Sequence, residues 1–283
     1  MTTGIKRKLY EISGRTFTYI AISIITIFFV FPFLWMVSTS IKPATEIFTP
    51  VPTIIPRAST VANYIYIFAK TIFPTTLKNS VIVAVSTTAV TLVFSVFFAY
   101  GLARFRFKGR TFVLNLLILT QMFPLSLLII VIFTIFVKLN LIDNYIALIV
   151  SHCTFAIPFS TIMLKSYFDD MPIELEEAAA IDGCTPYGTI FRIVIPLASP
   201  AIVAMGIFAY ILSWGEYMMS LSLIRSEAMR TVPVQLSFMI GFMEVQWGPL
   251  MAAATVITLP VVIVFIFFQK YMISGMTMGA VKG

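Results

Sequence analysis

Charged positions divide this chain into long apolar stretches. Uncharged runs cover 16–41, 79–103, 111–137, 144–164, 193–215 and 245–269, each 21 to 27 residues long. A helix rises about 1.5 Å per residue, so about 20 apolar residues cross the ~30 Å of bilayer hydrocarbon. The remaining uncharged stretches, 58–69 among them, are too short to span as helices. Strands of a membrane barrel alternate over about 10 residues, whereas runs such as Ile-Phe-Phe-Val-Phe at 27–31 do not alternate. The pattern predicts an all-α membrane protein with six transmembrane helices, over approximately 16–40, 79–102, 111–137, 145–164, 199–223 and 249–269, in a single domain 1–283.

Between the spans, 42–78 carries Pro43, Pro50, Pro52 and Pro56, which disfavour regular helix. Residues 102–110 make a short basic loop, 138–144 a tight turn, 165–198 a long loop, and 216–248 a segment with a few apolar stretches. Pro124 in the third span and Pro260 in the sixth are expected to kink their helices, as suits either a cavity that opens and closes or a static bundle. No internal repeat stands out.

Composition agrees. With 59% hydrophobic and 11% charged residues, against about 25% charged in soluble domains, the chain cannot cover a globular surface with polar groups. The net charge of +7 has a local origin: Lys6, Arg7, Lys8 and Arg15 precede the first span, and Arg104, Arg106, Lys108 and Arg110 follow the second. That is the positive-inside pattern, and it argues for a cytoplasmic N-terminus and, after six crossings, a cytoplasmic C-terminus rather than nucleic-acid binding. The segments 42–78, 138–144 and 216–248 are then external, and 165–198 is internal. The first run exceeds a signal-peptide core, and no cleavage site follows it, so a retained helix is expected. Cys153 in a span and Cys184 in an internal loop predict no disulfide. His152, the one histidine, leaves no zinc ligand set and is either packed between helices or part of a transport path.

No Asp, Glu, Lys or Arg falls in the uncharged runs, which argues against proton coupling and voltage sensing. Asn115, Gln121, Ser151, Thr154, Ser160 and Ser213 are candidates to line a neutral path for a hydrogen-bonding solute. There is no G-x-x-x-x-G-K-[ST] phosphate loop, and no cofactor or metal is expected on this chain.

The 165–198 loop carries its own local logic. Asp170 is placed to cap a helix with Pro172 and Glu174 in its first turn, Ala178, Ala179 and Ala180 favour helix, and Gly183 suits the position that ends it. Thr185 and Pro186 then start a second short helix running toward Pro196. The pair is either a helix that docks in a partner's groove or a plain connecting hairpin.

Glu177-Ala178-Ala179, then three residues, Gly183, nine residues and Ile193-Val194-Ile195-Pro196 resembles the EAA loop of binding-protein-dependent ABC importer permeases, with Ile195 in place of a leucine. Pro32-Phe33-Leu34-Trp35-Met36-Val37-Ser38, Ala99-Tyr100-Gly101-Leu102-Ala103-Arg104, Trp214-Gly215-Glu216-Tyr217 and the tail from Gly275 to Gly283 are similar to the maltose-type carbohydrate family, its smaller permease subunit in particular.

The resemblance implies a type I ABC importer permease fold in a prokaryotic cell membrane, with no enzymatic activity of its own. Implied partners are a second permease as a heterodimer, two ATPase subunits that use ATP and Mg, and an extracytoplasmic solute-binding protein. The solute is a carbohydrate, with a polyol or glycerol phosphate as alternative; a secondary carrier fits far less well. Glu177, Ala178, Ala179, Asp182, Gly183, Pro186 and Pro196 would couple the loop to an ATPase. Gln121, Trp214, Glu216 and Tyr217 are candidate pathway residues, Trp214 and Tyr217 being equally readable as an interfacial aromatic belt.

Overall fold

A computed structural model describes residues 2–241 and 245–280, with the side chains of 2–14, 125, 126 and 271–280 left out. The helices are α1 (Thr2–Ser40), α2 (Ala44–Ile47), α3 (Ala62–Ala69), α4 (Phe73–Arg104), α5 (Arg110–Met122), α6 (Leu125–Lys138) and α7 (Tyr145–Asp170). They continue with α8 (Glu174–Ile181), α9 (Pro186–Thr189), a π turn (Ile190–Val194), α10 (Ile195–Leu197), α11 (Ser199–Trp214), α12 (Met218–Leu223), α13 (Val232–Met239) and α14 (Trp247–Ala280). Among the described residues the only β pairing is an isolated bridge between Ile240 and Val245.

Four helices contain stretches long and apolar enough to cross a membrane: Arg15–Ser40, Phe73–Arg104, Tyr145–Asp170 and Trp247–Lys270. Two bent pairs bring the number to six when each counts as one crossing. The third expected span is thus broken rather than kinked: α5 and Leu127–Lys138 of α6 meet at 106°. Phe123 is extended, with φ −78° and ψ 130°, as the residue before a proline tends to be, and Pro124 caps the new helix. Pro32, Pro158 and Pro260, by contrast, lie inside unbroken helices. The fifth expected span, 199–223, also differs. Helix α11 stops at Trp214, Gly215 caps it, and α12 restarts at Met218. On its other side Pro186–Leu197 meets α11 at 77°.

The chain divides into two compact units. One comprises Met1–Thr71 with Met239–Val256, the other Ile72–Phe238 with Ile257–Gly283. In the first, Glu46 organises the proline-rich segment: its carboxylate accepts from Thr53 Oγ1 at 2.7 Å, Arg57 N at 2.9 Å and Ala58 N at 3.3 Å. Asn63 Nδ2 donates to the carbonyls of Ser40 and Lys42, both at 2.9 Å. An added Cβ on Gly248 would lie 2.6 Å from Asn63 Oδ1, so only glycine allows this approach.

The second unit is built on α4 against α7. Ala84, Thr87, Thr91, Ser95 and Ala99 of α4 and Ala147, Ser151, Ala156 and Ser160 of α7 are fully buried, the small residues by which membrane helices approach closely. One apolar cluster (Val83, Phe136, Leu148, Met219, Leu223) lies toward the start of α4; another (Val96, Tyr100, Leu164, Phe168, Ile190, Val194) lies toward its end. The 138–144 turn is as tight as expected. Asn140 and Asp143 take φ of 53° and 63°, and Asp143 Oδ1 accepts from Arg225 N, Ser226 N and Ser226 Oγ at 2.9–3.1 Å. Those hydrogen bonds outweigh the desolvation that opposes them and hold the Asp143 carboxyl below the usual aspartate range.

Candidate coupling and pathway sites

The α8–α9 pair begins where α7 ends. Asp170 proves to be the last residue of α7 and not a cap for α8, because α7 runs on through it; α8 starts at Glu174 behind Ile173, which offers no side-chain cap. Glu174, Glu176 and Glu177 instead fill the first turn, where negative charge suits the helix dipole. At the far end Gly183 has φ +82°. Gly183 N donates to Ala180 O at 3.1 Å and Cys184 N to Ala179 O at 2.9 Å, the paired bonds of a Schellman stop. Thr185 Oγ1 then accepts from Gly188 N at 3.1 Å, with Pro186 in the first turn of α9. Pro196 follows the π turn inside α10, and Asp182 is the exposed C-cap of α8.

The short helix is fastened to α4. Arg104 Nε donates to Glu176 Oε1 at 2.6 Å, Tyr100 Oη to Glu176 Oε2 at 2.8 Å, and Arg104 Nη2 to Met171 O at 3.2 Å. Glu176 was not among the residues expected to matter. Its signal lies in Arg104 and Tyr100, 72 and 76 positions away, and no local pattern carries it. On α8, Ala179 faces inward at 4% exposure, whereas Glu177 and Ala178 face outward. Ile173, Leu175, Ile181 and Tyr187 are exposed as well.

A second constellation joins α7 to the break after α11. His152, 1% exposed, has Nδ1 2.7 Å from Ser213 Oγ and Nε2 3.2 Å from Glu216 Oε2. Both ring nitrogens of His152 are thus engaged, one by a hydroxyl and the other by a carboxylate. The Glu216 carboxylate also accepts from Met219 N at 2.7 Å, Ser220 N at 2.9 Å and Ser220 Oγ at 3.0 Å. It therefore satisfies the start of α12, the role of an N-terminal cap, and pins that start to α7.

Trp214 is 4% exposed, stacks on Tyr210 at 5.6 Å, and donates from Nε1 to Ile257 O at 3.3 Å. Gln121, on the exposed side of α5, reaches Phe155 O at 3.5 Å. Both acceptors sit three residues before a helix-internal proline, Pro260 and Pro158, in the turn whose hydrogen bonding such a ring disturbs. Tyr217 is half-buried, and Asn115 is exposed. Ser151 and Thr154 bond to carbonyls of their own helix, at Leu148 and Val150, while Ser160 Oγ is buried without a partner. The tail from Gly275 lies outside the residues whose side chains are described.

The family model described as "Binding-protein-dependent transport system inner membrane component" matches residues 91–278. The chain belongs to this family of transport permeases. It is 38% identical to the "Sulfoquinovosyl glycerol transport system permease protein SmoH" of Agrobacterium fabrum, covering 96% of this chain and 95% of that one. To the "Trehalose/maltose transport system permease protein MalG" of Thermococcus litoralis it is 34% identical, covering 96% and 99%. In fold it matches a chain of a bacterial ABC transporter involved in alginate import, with a TM-score of 0.83 at 23% identity, covering 93% of this chain and 97% of that one. A multi-pass permease of a binding-protein-dependent system is therefore what these helices make.

Proposed function

We propose that this permease is one of two membrane subunits of an ATP-driven importer for an oligosaccharide, working by alternating access. The α8 surface is the observation that carries the reading. A helix stopped by Gly183, anchored to α4 through Glu176, and presenting Glu177, Ala178 and Ile181 outward is built to transmit force from a docked ATPase into a transmembrane helix. Carbohydrate as solute rests on the relatives: trehalose and maltose, arabinooligosaccharides and diacetylchitobiose are the solutes in their names. In this reading the basic segments and the α8–α9 loop face the cytoplasm, ATP and Mg are used by the partner ATPases, a binding protein meets the 216–248 side, and a second permease covers the exposed face of α1.

Each conformational state needs its own favourable contacts: nucleotide would supply them for one and the loaded binding protein for the other. Glu177, Asp182, Pro186 and Pro196 shape the docking pair, and Trp214, Tyr217 and Gln121 are proposed along the solute path. Orientation and coupling are tested together in cells carrying Cys184→Ser. A membrane-impermeant thiol reagent should label Ser59→Cys and spare Lys108→Cys, and a tagged chain should retain ATPase subunits whose hydrolysis rises with saccharide-loaded binding protein. Labelling at 108 alone, or hydrolysis indifferent to the loaded protein, would overturn the proposal.

A further inference from the structure

A cavity of about 320 Å³ lies within the first compact unit, lined by Trp35, Thr39, Lys42, Glu46, Thr53 and Trp247 among others. Its size falls at the lower bound of small-molecule pockets, about 300–1,000 Å³. Nothing in the mechanism above uses it.

Its chemistry is specific. Thr39 is 6% exposed, and its Oγ1 has no hydrogen-bond partner, a state that buried hydroxyls rarely keep. Lys42 is 3% exposed; its ammonium donates to Thr53 O and lies 4.7 Å from the centroid of the Trp35 ring. An ammonium has three N–H donors, so the carbonyl leaves two available. The Glu46 carboxylate, by contrast, is held by Thr53, Arg57 and Ala58. The cavity wall thus offers a free hydroxyl, ammonium donors and two indoles, while Lys42 and Glu46 cancel in charge.

We infer that this cavity binds a single uncharged hydroxylated ring, of pyranose size, through residues other than those proposed for the solute path. An indole face suits the C–H face of such a ring, Thr39 Oγ1 exchanges a hydrogen bond with one ring hydroxyl, and Lys42 donates to another. Cancellation of charge disfavours an anion. A ring of this class belongs to the solutes of the carbohydrate reading, on which the choice of ligand rests; under the orientation proposed above, the cavity opens on the side from which solute arrives.

The test uses the full chain in nanodiscs and methyl α-glucoside as probe. The sequence has three tryptophans, so Trp214→Phe leaves Trp35 and Trp247 as the only indole reporters. In that background the sugar should shift the fluorescence saturably. Thr39→Val should weaken binding by about five- to tenfold, and Thr39→Ser should restore it. Saturable binding that Thr39→Val leaves untouched would overturn this site and leave the importer reading standing. No saturable response in the Trp214→Phe chain would also overturn it, whereas failure of the importer reading is read separately, from ATPase retention and thiol labelling.

Discussion

Arg104 and Glu176 form an ion pair 2.6 Å long in which each side chain is 11% exposed. It binds the last turn of α4 to the first turn of α8, and Tyr100 occupies the second carboxylate oxygen. Removing one member of a buried pair strands the other, at a loss of about 3 kcal/mol. Arg104→Met and Glu176→Met should each lower the unfolding temperature in detergent, and the double variant should recover part of the loss. Saccharide-stimulated hydrolysis should stay low in all three, since the link from α8 to α4 is gone. Full additivity of the two single effects on stability would count against the pair.

Gly183 has open space where a Cβ would stand, so its φ of +82° alone decides what fits there. Gly183→Val should lose about 1–2 kcal/mol from the backbone, and Gly183→Asn less, because asparagine tolerates this region. Coupling of ATP hydrolysis to uptake should follow that order. Equal coupling in both variants would separate the stop of α8 from its task.

Neighbouring alanines on α8 should behave differently. Ala179 is packed inward and Ala178 outward, so Ala179→Trp should destabilise the chain itself by overpacking of about 1–3 kcal/mol. Ala178→Trp should leave the chain's unfolding temperature unchanged and release the ATPase. Co-purification and thermal unfolding, measured on the same two variants, distinguish them.

Backbone donation from Arg57, the Thr53 hydroxyl and the Ala58 N–H hold the Glu46 carboxyl below the usual glutamate value of 4.5, with Lys42 adding to the same direction and desolvation opposing it. A lowered folded-state value contributes stability above the unfolded-state value, and that contribution disappears as pH falls through the folded one. Glu46→Gln should therefore be less stable than the parent at neutral pH, and the difference should shrink as pH falls below the usual glutamate value. A gap that stays constant on acidification would show that the charge of Glu46 contributes nothing.

Trp214 and Tyr217 should also part. Trp214→Phe removes the donor to Ile257 O, at about 1 kcal/mol for one hydrogen bond, and should register in stability. Tyr217→Ala should lower uptake while the assembled complex is retained. Normal uptake by Tyr217→Ala would favour its reading as an interfacial aromatic.

Much of this was legible along the chain, because bilayer thickness sets helix length and local stereochemistry sets helix ends. The apolar runs and the φ of Gly183, like the Thr185 cap, follow from neighbours within a few residues. What the sequence hid lies at long range or depends on tertiary support. Pro124 breaks its span and Pro158 does not, although both lie in apolar runs; Pro158 stands in a helix buried on α4, while the helices at Pro124 are mostly exposed. His152 reaches Glu216 across 64 positions, and nothing near either residue announces the other. Asp170 looked like a cap because its type fits, but α7 simply continued.

The apolar window within Arg15–Ser40 has none of its residues buried. That stretch adds no buried side chain to its own chain's interior and little to the chain's folding cooperativity; among the described residues of the helix, only the last turn, at Ser38, Thr39 and Ser40, is buried. In the proposed importer its place would be set by the neighbours it meets after insertion, so the last step in shaping the permease would belong to assembly. Quality control of an orphan subunit would have this bare helix to read.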